Sequence, residues 1–118
     1  MIDVGPLDEL PQESMRVVRV GRRELGIVRW HGDEVYAVHN RCPHMAGPLC
    51  LGALGPRLDG SPGKISVTDI PVIGCPWHHW EFDARDGRSV SGDPARVRTY
   101  PARVEGGRIL VDLGPRPA

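Results

Sequence analysis

Two short segments of this 118-residue sequence carry side chains that could do chemistry together. Residues 42–44 read Cys-Pro-His, and about thirty residues later residues 75–78 read Cys-Pro-Trp-His. Each segment offers one thiolate and one imidazole, with a proline directly after the cysteine. Two thiolates and two imidazoles could hold a zinc ion, or they could hold a [2Fe–2S] cluster in which one iron takes the cysteines and the other the histidines.

The way the ligand types are paired favours the cluster. Zinc fingers usually bring their ligands as a Cys-x-x-Cys pair and a His-x-x-x-His pair, whereas each segment here mixes one cysteine with one histidine. A [2Fe–2S] cluster moves single electrons, and two neutral imidazoles raise its potential above that of an all-cysteine cluster. Electron transfer is therefore the predicted chemistry, and structural zinc stays open as the alternative.

Composition and charge restrict the class of protein. Fifteen basic and fifteen acidic residues give a formal net charge of zero, which argues against binding to nucleic acid or membrane through bulk charge. The sequence opens without a basic and then apolar signal segment, and no apolar stretch is long enough to span a bilayer, so a cytoplasmic location is expected. Three cysteines, an odd count, are a poor basis for a disulfide scaffold.

The elements that must position these two segments are predicted to be short β-strands. Fifteen glycines and twelve prolines indicate frequent turns, and the runs between them are rich in β-branched residues. A glycine-first hairpin turn is expected at residues 32–33, and the last hairpin is expected to turn at Gly106-Gly107. The predicted strands are residues 15–20, 24–31, 34–40, 65–68, 80–83, 88–90, 100–105 and 108–113. This pattern predicts an all-β fold, an antiparallel sandwich or barrel.

One domain over residues 15–113 is expected. Residues 1–14 are polar with two prolines and are interpreted as a loose lead-in. Residues 52–70, between the two Cys–His segments, are interpreted as a long, exposed loop. Residues 114–118 are predicted to be a mobile tail.

The two segments also resemble a known family. Residues 42–49 (Cys-Pro-His-Met-Ala-Gly-Pro-Leu) and residues 75–83 (Cys-Pro-Trp-His-His-Trp-Glu-Phe-Asp) are similar to the two cluster-binding boxes of Rieske proteins. The similarity is closest to the Rieske-type ferredoxins that serve bacterial aromatic-ring dioxygenases. This resemblance implies a β-sandwich-like base and a small cluster-binding subdomain, about residues 41–92, that carries one [2Fe–2S] cluster on two loops.

The resemblance implies a role for each candidate ligand. Cys42 and Cys75 would bind one iron, and His44 and His78 would bind the other through their Nδ1 atoms. Pro94 occupies the place of a third loop that covers the cluster in the family.

Several positions depart from the family pattern. The stretch between the boxes is longer than usual by about a dozen residues, and loops of that length often have a function. Cys50 has no disulfide partner, because Trp77 stands where high-potential Rieske proteins have the second cysteine. Trp80 replaces a serine that donates a hydrogen bond to a cluster sulfide in those proteins, so a low potential is predicted. His79 stands where glycine is commoner and is interpreted as an exposed bystander.

The function implied is that of a soluble one-electron carrier. Its expected partners are a flavin-dependent reductase and a terminal, ring-hydroxylating oxygenase, with no nucleic acid and no membrane. Histidine is absent after residue 79, so the sequence lacks the second, mononuclear iron site of an oxygenase and is not expected to be a catalyst alone. Two alternatives stay open: a small Rieske subunit of a nitrite reductase-like or other redox complex, and an interaction module that binds zinc or nothing.

Overall fold

The fold is built from antiparallel β-sheets. The computed structural model describes residues 1–41, 49, 52–61, 63–76, 80–90, 92 and 94–114. The strands of these described residues are β1 (Ile2–Pro6), β2 (Ser14–Val20), β3 (Arg23–Arg29), β4 (Val35–His39), β5 (Ala53–Ser61), β6 (Lys64–Gly74), β7 (Glu81–Asp83), β8 (Thr99–Tyr100), β9 (Ala102–Glu105) and β10 (Arg108–Val111).

The strands form three sheets, with the orders β1-β10-β9, β2-β3-β4-β8 and β5-β6-β7. The helical structure in the described part of the chain is limited to 3-10 conformation, at the turn Leu7–Glu9 and at Leu49. The all-β prediction is therefore confirmed.

The central sheet, β2-β3-β4-β8, has apolar side chains on both faces. In β3, Leu25 and Ile27 pack on one face and Val28 on the other, as the period-two geometry of a strand requires. The box-side core contains Val28, Val38, Leu49, Ile73, Cys75, Phe82, Ala84 and Val97. The terminal core contains Leu7, Leu10, Leu25, Ile27, Val35, Ala37, Tyr100, Ile109 and Val111. The central sheet is thus covered on both sides, and one of the two cores includes a predicted cluster ligand.

The prediction of a loose lead-in over residues 1–14 is wrong. β1 pairs antiparallel with β10, and Leu7 and Leu10 are buried in the terminal core. Arg108 donates hydrogen bonds to both carboxylate oxygens of Asp3 across this pair, at 2.9 and 3.1 Å. The pairing partner lies more than a hundred residues away in the sequence, so the local pattern of polar residues and prolines does not reveal it.

The prediction that residues 52–70 form a loop is also wrong. These residues belong to a long hairpin in which β5 pairs with β6, from Ala53 opposite Gly74 to Ser61 opposite Lys64, with one shift of register between Pro56 and Leu58. The predicted short strand at residues 65–68 lies inside β6. The hairpin is exposed, as expected, since Leu58 and Val67 face each other in the register with 59% and 69% of their surfaces accessible.

The predicted hairpin turns are confirmed where their glycines need a positive φ. Gly106 and Gly107 have φ values of 58° and 75° between β9 and β10, which is the conformation of a type I′ turn. Gly32 has φ 59°, and the Glu34 N–H donates to the His31 carbonyl across the turn. The loop is longer than the two residues predicted, because Arg29 is opposite Val35 and the Trp30 N–H donates to the Glu34 carbonyl. By contrast, the return strand predicted at residues 88–90 is reduced to two isolated bridges, one from Ser89 to Phe82 and one from Arg88 to Arg96.

No helix among the described residues has the length and hydropathy to cross a bilayer. Residues 115–118, most of the predicted tail, lie outside the described residues.

Candidate functional site

Cys75 is the one candidate cluster ligand that falls within the described residues. The other three, Cys42, His44 and His78, lie outside them, as do Cys50, Trp77 and His79. The described part of the site consists of Cys75 and the chain segments that leave the first box and that enter and leave the second.

Cys75 follows directly after β6 and is almost fully buried. Its exposed fraction is 1%, and its side chain packs in the box-side core with Ile73 and Phe82. The Cys75 N–H donates to the Trp80 carbonyl at 2.7 Å, which closes the chain segment that contains the second box. The thiol thus sits at the end of β6, next to a backbone hydrogen bond to Trp80, and is shielded from bulk water.

The chain that leaves the first box packs against the chain that enters the second. Leu49 has no exposed surface and lies in the same core as Cys75. The Gly52 N–H donates to the Leu49 carbonyl at 3.0 Å. A Cβ atom at Gly52 would lie 1.8 Å from the Gly74 carbonyl oxygen and 3.0 Å from Pro76 Cδ. Residue 52 must therefore be glycine for the two box-bearing segments to approach this closely.

A cavity of about 460 Å³ opens where these two segments meet. Its lining residues are Gly52, Ala53, Gly74, Cys75, Pro76 and Glu81. It is bounded by backbone and small side chains, with one thiol and one carboxylate at its edge. The sequence does not predict Gly52 as part of the site, because its close contact is made across the sheet with Gly74, far along the chain.

The chain after the second box is held against the same core. β7 pairs with the end of β6, with Gly74 opposite Glu81 and Ile73 opposite Phe82. The Trp80 and Phe82 rings are tilted against each other, with centroids 6.5 Å apart. Trp80 is partly buried against the box-side core, which also contains Cys75.

A tight turn follows β7, as Asp86-Gly87 predicts. Gly87 has φ 79°, and a Cβ atom there would lie 2.0 Å from the Val97 carbonyl oxygen. The Val97 N–H in turn donates to the Gly87 carbonyl at 2.9 Å. This contact holds residues 94–97 beside the turn. Pro94 is exposed there, and its place over a cluster stays a prediction.

His31, a histidine outside the boxes, makes contacts that connect two β-hairpins. His31 stacks on Trp30 with ring centroids 4.7 Å apart, and its Nδ1 lies 2.7 Å from an Asp69 carboxylate oxygen. The Trp30 indole N–H donates to the Asp69 carbonyl at 3.0 Å. These contacts attach the long β5–β6 hairpin to the turn between β3 and β4.

His39 lies at the end of β4, and its backbone N–H donates to the Arg98 carbonyl at 2.8 Å. Within the described part of the chain its Nδ1 is buried without a hydrogen-bond partner. Burial lowers the pKa of His39 below its ordinary value, and the positive charges of Arg41, Arg98 and Arg23 lower it further. The sequence does not reveal this group of arginines, because they lie just outside the predicted strands 24–31, 34–40 and 100–105 and are brought together only by the strand pairing.

Comparison with known proteins places these features in a family. The sequence profile of the Rieske [2Fe-2S] domain matches residues 1–101. The chain is 32% identical to the ferredoxin component of the naphthalene 1,2-dioxygenase system of Pseudomonas aeruginosa, over 95% of this chain and 94% of that protein. It is 29% identical to the ferredoxin component of the alkene monooxygenase system of Xanthobacter autotrophicus, over 98% of this chain and 84% of that protein.

A solved structure has the same fold. The ferredoxin of carbazole 1,9a-dioxygenase from Nocardioides aromaticivorans superimposes with a TM-score of 0.71 and is 31% identical. The superposition covers 93% of this chain and 94% of that ferredoxin.

Proposed function

Because this chain belongs to the Rieske [2Fe-2S] domain family, we propose that it holds one [2Fe–2S] cluster and carries single electrons between redox proteins. In this proposal Cys42 and Cys75 bind one iron, while His44 and His78 bind the other. When bound, the cluster supplies one reversible electron. The protein's residues bind it, orient it and exclude water from its cysteine-bound side.

The buried thiol of Cys75 is the observation that carries this proposal. A cysteine at 1% exposure, next to a cavity where both box-bearing segments meet, suits a thiolate ligand in a dry site. The close approach of Gly52 to Gly74 supports the same conclusion, since it brings the end of the first box to the start of the second. Two thiolates and two imidazoles are a donor set that fits this cluster.

The partners are also a proposal. The related proteins are named as ferredoxin components of oxygenase systems, which supports a terminal oxygenase as the acceptor. We propose a flavin-dependent reductase as the donor and a ring-hydroxylating oxygenase as the acceptor, with this chain acting as carrier and not as catalyst. Trp80 in place of a serine donor supports a low-potential cluster. A cytoplasmic location stays a prediction.

Variants of the candidate ligands test the cluster. Replacing Cys42 or Cys75 by serine, or His44 or His78 by glutamine, should abolish cluster binding, measured as iron, acid-labile sulfide and visible absorption per chain. The matched controls are Cys50→Ser and His31→Gln, which should keep wild-type content. A colourless wild-type protein after anaerobic preparation, or one zinc ion per chain, would refute the proposal.

Purification with the candidate partners tests the carrier role against the alternative of a subunit in a nitrite reductase-like complex. A carrier should purify alone as a dissociable protein, and after reduction it should be reoxidised by an oxygenase encoded nearby. A stable complex that resists dissociation in high salt would instead support the subunit role.

A further inference from the structure

Three arginines gather at the end of the central sheet that leads to the first box. Arg23 begins β3, Arg98 directly precedes β8, and Arg41 follows two residues after the end of β4. Leu25 is opposite His39 in the register, and the His39 N–H bonds to the Arg98 carbonyl. Because alternate residues of a strand share a face, Arg23 lies on the face of Leu25, and Arg98 on that of Tyr100. We call Arg23, Arg41 and Arg98 the arginine patch.

The three side chains lie close enough to act on one group. Each of their positive charges lowers the pKa of His39, which sits among them on β4. The Cζ atoms of Arg23 and Arg98 lie 5.8 and 5.1 Å from the centre of the Tyr100 ring, within the range of a cation–π contact. The aromatic ring therefore holds two of the guanidinium groups in place without cancelling their charge.

No carboxylate among the described residues pairs with the arginine patch. The arginine ion pairs in that part of the chain involve Arg16, Arg19, Arg85, Arg88, Arg103 and Arg108. Arg41 and Arg98 are exposed, and Arg23 is half-buried, with its Nη1 donating to the Leu113 carbonyl at 3.3 Å. The chain as a whole has a formal net charge of zero, so this positive charge is a local feature and not a reflection of composition.

We propose that the arginine patch is a docking surface for a carboxylate-rich face of a redox partner protein. The inference rests on the proposed function, because a redox partner is expected only if the chain carries electrons, and Arg41 directly precedes the candidate ligand Cys42 in the sequence. Charge complementarity identifies the occupant: guanidinium groups match the geometry of carboxylates and bind them in a bidentate manner. Uncompensated surface charge also accelerates encounter with an oppositely charged partner, and salt screens this effect.

The first experiment maps anion binding without any electron transfer. The redox-inert paramagnetic anion hexacyanochromate(III) is added to ¹⁵N-labelled holoprotein, and amide line broadening is measured. The broadening should be strongest around Leu25, Ala37 and Tyr100. It should be lost in the triple variant R23Q/R41Q/R98Q and retained in R23K/R41K/R98K. Broadening centred elsewhere, or unchanged in the glutamine variant, would overturn the proposal.

The second experiment measures whether the patch guides electron exchange. Reduced holoprotein gives one electron to ferricyanide, an anion, or to tris(phenanthroline)cobalt(III), a cation, and the rates are followed by stopped flow at several ionic strengths. At low ionic strength the glutamine variant should react with ferricyanide about threefold or more slowly than wild type, and its salt dependence should flatten. Its reaction with the cationic cobalt complex should not slow.

The matched control is R16Q/R19Q/R103Q, which lowers the net charge by the same amount at exposed arginines that already pair with glutamates. This control should keep the wild-type ferricyanide rate, and equal slowing in both variants would overturn the proposal.

A short polyglutamate peptide should compete with ferricyanide more strongly than inorganic phosphate does at equal ionic strength. Equal competition would mean a small-anion site and no docking surface. If the purified protein contains no cluster, the proposed function is refuted. The broadening experiment does not depend on electron transfer, so it still tests the arginine patch.

Discussion

At the scale of single residues, the contact between Gly52 and Gly74 determines how close the two box-bearing segments come. The chain passes so near the Gly74 carbonyl that position 52 has no space for a side chain. The buried thiol of Cys75 follows one residue later in the same strand-to-loop transition. The geometry of the site therefore depends on a residue that contributes no ligand.

Gly52→Ala should destabilise the protein by at least about 2 kcal/mol, because the new Cβ would overlap backbone atoms that cannot move independently. Gly55→Ala is the matched control, three residues further along in β5, since nothing lies within 4 Å of a Cβ built there. The control should change the free energy of unfolding by less than about 0.5 kcal/mol. Denaturant unfolding measures both, and equal effects of the two substitutions would contradict the close contact.

His39 predicts a pH dependence of stability at the same scale. Its pKa in the folded protein is lowered by burial and then by the neighbouring arginines, so the unfolded chain binds a proton at a higher pH than the folded one does. The free energy of unfolding should therefore fall as the pH drops below about 6.5, the ordinary value for imidazole. His39→Phe should show a smaller fall between pH 7.5 and 5.5 in denaturant titrations. Identical pH profiles would contradict the assignment.

At the scale of elements, local pattern was sufficient for some strands and insufficient for others. β2, β3, β4 and the β9–β10 hairpin follow from β-branched alternation and from glycines at the turns. β1 could not be predicted, because its strand partner is β10 at the other end of the chain. The β5–β6 hairpin was missed because both strands contain glycine and proline, and Pro56 lies at a shift in their register.

The outer part of the β5–β6 hairpin should be dispensable for folding. Leu58 and Val67 face each other and are both exposed. The hydrogen bond from Trp30 is made further from the hairpin turn, at the Asp69 carbonyl. Replacing residues 59–66 by an Asn-Gly turn should change the free energy of unfolding by less than about 1 kcal/mol, and the visible spectrum should not change.

Trp30→Phe provides the contrasting variant for this hairpin. It removes the hydrogen bond to the Asp69 carbonyl and part of a buried side chain, so it should cost about 1–3 kcal/mol. Thermal or denaturant unfolding followed by circular dichroism compares the two variants. A larger loss of stability from the shortened hairpin than from Trp30→Phe would contradict this division of the hairpin.

At the scale of the whole molecule, the central sheet separates the core that packs the chain ends from the core that packs the candidate site. Its terminal core ties both chain ends together through β1, β9 and β10, and the box-side core contains Cys75. The arginine patch lies at the end of the same sheet, where β4 leads to the first box. The types and spacing of the four candidate ligands could be read from the sequence, but the surface charge beside them follows only from strand register.

The central claim is that two cysteines and two histidines hold one diiron cluster with the two ligand types on different irons. Pulsed EPR of the dithionite-reduced protein, prepared with ¹⁵N-labelled histidine, tests it most directly. We expect a reduced [2Fe–2S] signal with strong couplings to two histidine nitrogens, which are lost together with the signal in His44→Gln and His78→Gln. A reduced cluster without nitrogen coupling, or a protein with no EPR signal and one bound zinc ion, would contradict it.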